Sequence, residues 1–105
     1  RILQTRFAEG NDATINQTGE GNLARVEQRG DDSTATSTQQ GDDNSSRILQ
    51  APGFLMSTEG ATAGVRQTGD RNVSDIDQMG DDSIVTVNQT NAIDGALGNN
   101  SLVDQ

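Results

Sequence analysis

An eleven-residue period constrains this chain more than any other feature. The template reads N-x-A-x-V-x-Q, followed by a four-residue connection with Gly in second place. Asn11, Ala13, Ile15 and Gln17 return as Asn22, Ala24, Val26 and Gln28. Further copies run from Ser33 to Gln39 and from Asn44 to Gln50. A second series begins at Ala61, Asn72 and Ser83 and ends at Gln67, Gln78 and Gln89. An eighth copy, "NNSLVDQ", covers Asn99 to Gln105 and fits the template better than a strict-period unit at Asp94 to Asn100. Such internal periods are the mark of stacked repeat architectures. Residues 11–50 therefore form a first block of four units, 51–60 a long loop, and 61–105 a second block of four. The fourth copy ends in "RILQ", the same residues that open the chain. Residues 1–4 thus read as the end of a preceding strand unit, and the chain as a processed or partial piece of a longer one.

Within each unit the alternation has period 2, which is strand periodicity. The template positions share one face, and charged residues in these strands fall only on the other. The inward aliphatic positions are Ala13, Ile15, Ala24, Val26, Ala35, Ile48, Ala63, Val65, Ile76, Val85, Val87 and Val103. Gly19, Gly30, Gly41, Gly69 and Gly80 occupy the second place of the short turns, where a sharp reversal calls for positive φ. Hairpins would pair neighbouring units directly. In the alternative, an arc-shaped rung, two strands face each other across a thin core and each pairs with the strand two units later, at ~4.8 Å. Amides at both ends of the inward face decide for the arc, because stacked identical amides bond to their copies above and below. The expected fold is all-β, a single β-solenoid over residues 1–105 of about four stacked two-strand rungs, able to extend as a cross-β amyloid-like filament.

Composition fits that reading and excludes others. Only 30% of residues are hydrophobic and 2% aromatic, too few for a conventional globule to offset backbone entropy. The net charge of −9, without Lys, offers no basic stripe for nucleic acid. With neither His nor Cys, disulfides, common zinc sites and histidine catalysis are absent, and no catalytic constellation is found. No apolar run reaches the length of a membrane helix. Arg1 rather than Met opens the chain, which fits removal of an upstream segment.

"QTGEGNLARVEQRG" resembles the curlin repeat, in which Gln, Gly, Asn, Ala and Gln recur at these spacings. Curlins are subunits of curli, the secreted amyloid fibres of bacterial biofilms. The resemblance marks Asn11, Gln17, Asn22, Gln28, Ser33, Gln39, Asn44 and Gln50 as a structural ladder, continued by Gln67, Asn72, Gln78, Ser83 and Gln89. The looser match at the end adds Asn99 and Gln105. It implies secretion as an unfolded chain, then extracellular polymerisation on the cell surface or in the biofilm matrix, with a nucleator subunit and secretion machinery as partners. The long loop around Phe54 and the lack of Tyr depart from the family pattern.

Polymerisation also follows from the edges. No Pro or Lys guards "NNSLVDQ" or "RILQ", and the only Pro, Pro52, lies in a loop. Head-to-tail stacking of the Gln105 end on the Arg1 end gives a non-closing contact and so a homopolymer filament. The alternative is a monomeric secreted β-solenoid that binds calcium, ice or polysaccharide. Glu20, Asp42, Asp43 and Asp70 gather on one edge, where calcium could bind, although solvated carboxylates are the favoured account. "STATST" sets Thr34, Thr36 and Thr38 in a row, an ice-binding pattern on one strand only, better read as ordinary strand threonines. Arg25, Arg47 and Arg66 read as equivalent outward positions beside acids such as Glu27. Phe7, Phe54, Leu55 and Met56 fall in the long connections, as core caps or contacts to a neighbouring subunit.

Overall fold

A computed structural model of the chain describes residues 1–4, 9–51, 60–91 and 97–105. Short runs of alternating small polar and branched residues, each closed by a Gly- or Asp-containing turn, give nine strands among them. These are β1 (Ile2–Gln4), β2 (Asp12–Thr18), β3 (Leu23–Gln28), β4 (Thr34–Gln40), β5 (Ser45–Gln50), β6 (Thr62–Thr68), β7 (Val73–Gln78), β8 (Ile84–Thr90) and β9 (Asn100–Asp104). Sequence neighbours do not pair. Each strand pairs in parallel with the one two places later, giving a five-stranded sheet, β1-β3-β5-β7-β9, and a four-stranded sheet, β2-β4-β6-β8. The chain is a β-solenoid of two-strand rungs, as its period requires.

Register keeps each template position over its own copy. Ala13 pairs with Ala35, Ala35 with Ala63 and Ala63 with Val85 in one sheet. Val26, Ile48, Ile76 and Val103 follow one another in the other. A one-residue slip would turn every inward side chain to solvent, so the alternation itself pins the pairing. Between the sheets lie Val26, Ala35, Ile48, Ala63, Val65, Ile76, Val85 and Val87, with Ala13, Ile15 and Val103 packed against them. Ala24 is buried as well.

The core is more polar than the aliphatic alternation predicts. Ser37, Ser46 and Ser74 occupy inward positions and are buried. The Ser37 and Ser46 hydroxyls bond to each other at 2.5 Å, joining the two sheets through the core. The Ser74 hydroxyl finds no partner among the described residues.

Two kinds of arc join the sheets, and the five turn glycines divide between them. Leaving the four-stranded sheet, Gly19, Gly41 and Gly69 have φ of 110°, 115° and 90°. Gly30 and Gly80, in the arcs leaving the five-stranded sheet, do not adopt positive φ, which corrects the expectation for those two. The position common to both kinds is the last of the turn, where Gly10, Gly21, Asp32, Asp43, Gly60, Arg71 and Asp82 all have φ between 51° and 69°. Asp tolerates this left-handed backbone better than most residues, and Arg71 is the costly exception. Phe7, Phe54, Leu55, Met56 and Asp94 lie outside the described residues.

Gly41 has a second constraint, since a Cβ there would sit 2.4 Å from the Gly69 carbonyl oxygen of the next rung. Gly41→Ala should therefore destabilise the folded subunit by at least about 2 kcal/mol. Gly80→Ala, whose Cβ would meet only the Ser83 hydroxyl at 3.1 Å, should stay within about 1 kcal/mol. Urea denaturation of the two variants separates them; equal losses would contradict the division of the arcs.

Candidate polymerisation edges and the amide ladders

Glutamine closes each inward face and donates to backbone carbonyls beside the arcs; Ser33, Ala61 and Ser83 O each accept a strand N–H as well, so the amide fills their second lone pair. In the five-stranded sheet Gln28 Nε2 donates to Asp12 O (3.0 Å), to Ser33 O (2.9 Å) and to Gln50 Oε1 (3.1 Å). Gln50 repeats the pattern on Thr34 O, Ala61 O and Gln78 Oε1 at 3.1, 3.0 and 3.0 Å. Gln78 donates to Thr62 O and Ser83 O, both at 3.2 Å. In the four-stranded sheet Gln17, Gln39, Gln67 and Gln89 form an unbroken chain of amide bonds at 2.7, 2.9 and 2.8 Å. Gln39, Gln67 and Gln89 also reach across the core to Leu23 O, Ser45 O and Val73 O. From Gln28 to Gln89 each amide thus links a strand both to its copy and to the opposite sheet, while Gln17 bonds to its copy alone.

Asparagine opens the inward face and binds differently. Asn22 Oδ1 accepts the Asn44 backbone N–H at 3.0 Å, and Asn22 Nδ2 donates to Gly41 O at 2.7 Å. Asn44 Oδ1 accepts both N–H and Nδ2 of Asn72, at 2.9 and 3.0 Å. Asn72 Oδ1 does the same for Asn99, at 3.1 and 3.2 Å. In the four-stranded sheet this column is not an amide ladder. Asn11 Oδ1 accepts Ser33 N–H at 2.9 Å, but the Ser33 hydroxyl turns back to Asp31 O in its own arc, and Ala61 stands between Ser33 and Ser83. Gln105 pairs through its backbone, its N–H on Asp77 O and its carbonyl accepting from Met79. A side-chain bond to Gln78 is absent among the described residues.

The acidic turns have a structural use. Asp42 Oδ1 accepts Glu20 N–H at 2.8 Å, and Asp70 Oδ1 accepts Asp42 N–H at 2.9 Å. Asp31 does the same for Glu9 in the other arc, at 2.9 Å. Each carboxylate binds the backbone of the preceding rung, so the rungs are joined through their arcs as well as their strands. Asp43 supplies a left-handed turn residue. Among the described residues no group of three or more acidic side chains is arranged to hold a metal ion.

On the outer face of the five-stranded sheet Arg25 stacks on Arg47, which donates to Asp75 at 2.7 Å. Arg66 is not equivalent to them. It lies on the opposite sheet between Thr38 and Asn88. Glu27, an outward position, is only 6% exposed, because Arg25 (2.7 Å) and Arg29 both close over it. The alternation marks it as solvated; Arg29, just past the strand end, is the signal that it is not. The four-stranded sheet's outer face carries threonine on every strand, not only on β4: Thr14 and Thr18, Thr62 and Thr68, Thr86 and Thr90.

The ends of the stack are its open sites. At one end Ile15 is half-buried and Gln17 exposed. At the other an open groove between β8 and β9 is lined by Val87, Gln89, Asn99, Ser101 and Val103. No strand among the described residues pairs with the far edge of β2, β8 or β9. The groove is the cross-section of the core. The ladder is directional: Nε2 of Gln17, Gln28, Gln39, Gln50 and Gln67 each donates to the Oε1 of the copy nearer the β9 end, a sense held from Gln28 onward by the carbonyls that Nε2 also serves.

Gln50→Leu keeps the volume but removes the amide's bonds to Thr34 O and Ala61 O and breaks the ladder on both sides, so a loss of about 3 kcal/mol is expected in denaturant melts. Gln105→Leu should cost less than about 1 kcal/mol in the soluble subunit. Arg29, by its hydrogen bond, holds the Glu27 carboxyl below its ordinary 4.5, aided by the charges of Arg29 and Arg25 and opposed by burial. The ionised form is favoured in the fold, so its stabilisation is complete above 4.5 and is lost as pH falls through the lowered value. Glu27→Gln should therefore lose stability at neutral pH, by about 1 kcal/mol, and the deficit should shrink below pH 4.5. A pH-independent deficit would contradict the pairing.

The family profile described as the curlin associated repeat matches residues 8–41 and 60–90, more than half of the chain. Searches of curated proteins and of solved structures gave no significant match. With the period, the register and the amide columns in agreement with that profile, the chain belongs to the curlin repeat family, whose subunits self-assemble into curli-type amyloid fibres at the cell surface.

Proposed function

We propose that this chain is a structural subunit of an extracellular, curli-like functional amyloid fibre of a biofilm matrix. It grows as a homopolymer by head-to-tail stacking of solenoid edges, with secretion machinery and a nucleator subunit as its accessory partners, and it carries out no catalysis. The observation that carries this reading is the directional amide column that runs through all four strands of the four-stranded sheet, with no strand among the described residues on its outer edges. The end presenting Gln89 offers a donor and the end presenting Gln17 an acceptor, so head-to-tail contact continues the ladder while like ends oppose their amides. Exposed parallel edges with matched side chains template further pairing.

A monomeric binding solenoid is the second reading, and the threonine-rich face is what favours it. No column of that face is threonine throughout, however: Gly64 interrupts one, Arg66 and two asparagines another, Asp12 and Ile84 a third, and Gln40 the fourth. A regular lattice of hydroxyls is missing. The acidic arcs, with their carboxylates used as backbone acceptors, likewise need no ion.

Electron microscopy of the purified chain near neutral pH should reveal unbranched filaments with an axial layer line at about 4.8 Å. Val87→Lys, which puts a charge into the open groove, should abolish them while leaving a folded subunit. Discrete monomers from the wild-type chain would overturn the proposal and favour the binding solenoid.

A further inference from the structure

The outer face of the five-stranded sheet brings exposed apolar side chains and charges of both signs together. β3, β5 and β7 each have a paired strand on both sides, so what they show to solvent does not depend on the ends of the stack. Leu23, which opens β3, is 63% exposed and Val73, which opens β7, is 43% exposed. On the outer face of the four-stranded sheet Ile84 is the one large exposed hydrophobic among the described residues. The charges are sorted by strand. Arg25 and Arg29 share one carboxylate, Glu27, and Arg47 of β5 is paired with Asp75 of β7. Asp77, also on β7, has no arginine partner among the described residues, and its Oδ1 is buried without a hydrogen bond. Over these three strands the face is neutral, three arginines against Glu27, Asp75 and Asp77, in a chain of net charge −9. It is nevertheless polar along the stack. One positive charge is in excess at β3 and one negative charge at β7, two strand spacings or about 10 Å apart.

We propose that this face is a lateral contact between two filaments of this chain, laid face to face with opposite axial directions and with β5 over β5 of the second filament. The inference rests on the polymerisation reading above, because a single subunit is too small to pair this way. These strands offer on the order of 400 Å² per subunit, against the ~800 Å² per partner of a standard stable interface. Only subunits already joined in a row multiply that contact. Reversing one filament about an axis along its strands sets β3 over the other's β7. Arg25 then lies over Asp75, and the excess charge beside Glu27 lies over Asp77, in both directions at once. Strand direction is kept, so Leu23 falls on Val73 and Leu49 on its own copy. Other orientations match less. Parallel filaments in register set Arg25 on Arg25, Asp75 on Asp75 and Leu23 on Glu27. Parallel filaments offset by two strands bring Arg25 to Asp75 but place Leu23 on Asp77 and Val73 on Glu27. Each of those covers a carboxylate with an aliphatic side chain, which is costly. Only the reversed pair satisfies the apolar and the charged columns together.

Cryo-electron microscopy of filaments grown from the 105-residue chain at low salt tests this. Paired filaments of opposite polarity, touching through the five-stranded sheet, are the expected result. Single filaments, parallel pairs, or pairs joined through the four-stranded sheet overturn the lateral contact and leave the polymerisation reading standing. Filament-free monomers overturn the polymerisation reading itself, and this inference with it. Two substitutions of the same charge on opposite outer faces give an independent readout. Leu23→Asp should elongate at the wild-type rate in seeded growth yet lower the fraction of paired filaments at least about tenfold. Ile84→Asp should keep the pairs. Should Leu23→Asp fail to elongate, Val73→Asp reads the other half of the same contact. Pairing that survives the substitution at Leu23 or Val73, or that is lost equally in Ile84→Asp, would overturn the proposal.

Discussion

A buried glutamine that donates to the next glutamine and to the carbonyls of the facing sheet is the interaction on which the rest of this structure depends. Gln28, Gln39, Gln50, Gln67 and Gln78 are at most 1% exposed, and each sits at the end of a strand, just before an arc carries the chain to the other sheet. Carbonyls beside the arcs, such as those of Ser33, Ala61 and Ser83, already accept a strand N–H, and their second lone pair, enclosed at the end of the core, still calls for a donor. The glutamine amide meets that need and, with its remaining hydrogen, joins its own copy one rung on. Stability is thus carried through side-chain bonds to backbone. This is how a chain with so little aromatic and aliphatic content can order itself. The core it encloses is one or two small residues wide, and at Ser37 and Ser46 it is a hydrogen-bonded pair.

The same bonds give the stack a direction. Because the Nε2 hydrogens are shared between a carbonyl and the next amide, the ladder cannot be reversed locally without breaking the bonds across the core. Asparagine adds a second directional column on the five-stranded sheet, and the aspartates of the arcs a third, each binding the backbone of the rung before. Family membership and this one-way chemistry agree: subunits of the curlin repeat family assemble into fibres, and a one-way column with open ends is what a fibre subunit of this size needs. The outer faces take little part in the stacking. They carry threonines on one side and arginine–carboxylate pairs on the other.

Legibility followed the repeat. The register, the parallel pairing two units apart and the placement of Ala35, Ile48, Ala63 and Ile76 in the core could all be read, because period 2 within a unit and period eleven between units leave one way to stack. What misled was the assumption that equivalent letters have equivalent roles. Ser33 and Ser83 stand where asparagine stands in the opposite sheet, yet a hydroxyl is too short to span a rung, and Ser33 bonds within its own arc. Gly30 and Gly80 look like Gly41, but their arcs close with a single left-handed residue at the end of the turn. Arg66 is two residues out of step with Arg25 within its unit, which places it on a different part of the other sheet. Glu27 alternates outward and is nevertheless covered, because Arg29 folds back from the following turn.

The sequence by itself determined the strand, its inward face and its period, since side-chain alternation and the spacing of amides are local properties that survive any arrangement of the rungs. Only the tertiary structure decided which arc bends which way and which polar groups meet across the core. Those depend on how far one rung is rotated over the next. No single unit contains that information, because it exists only once the units are stacked.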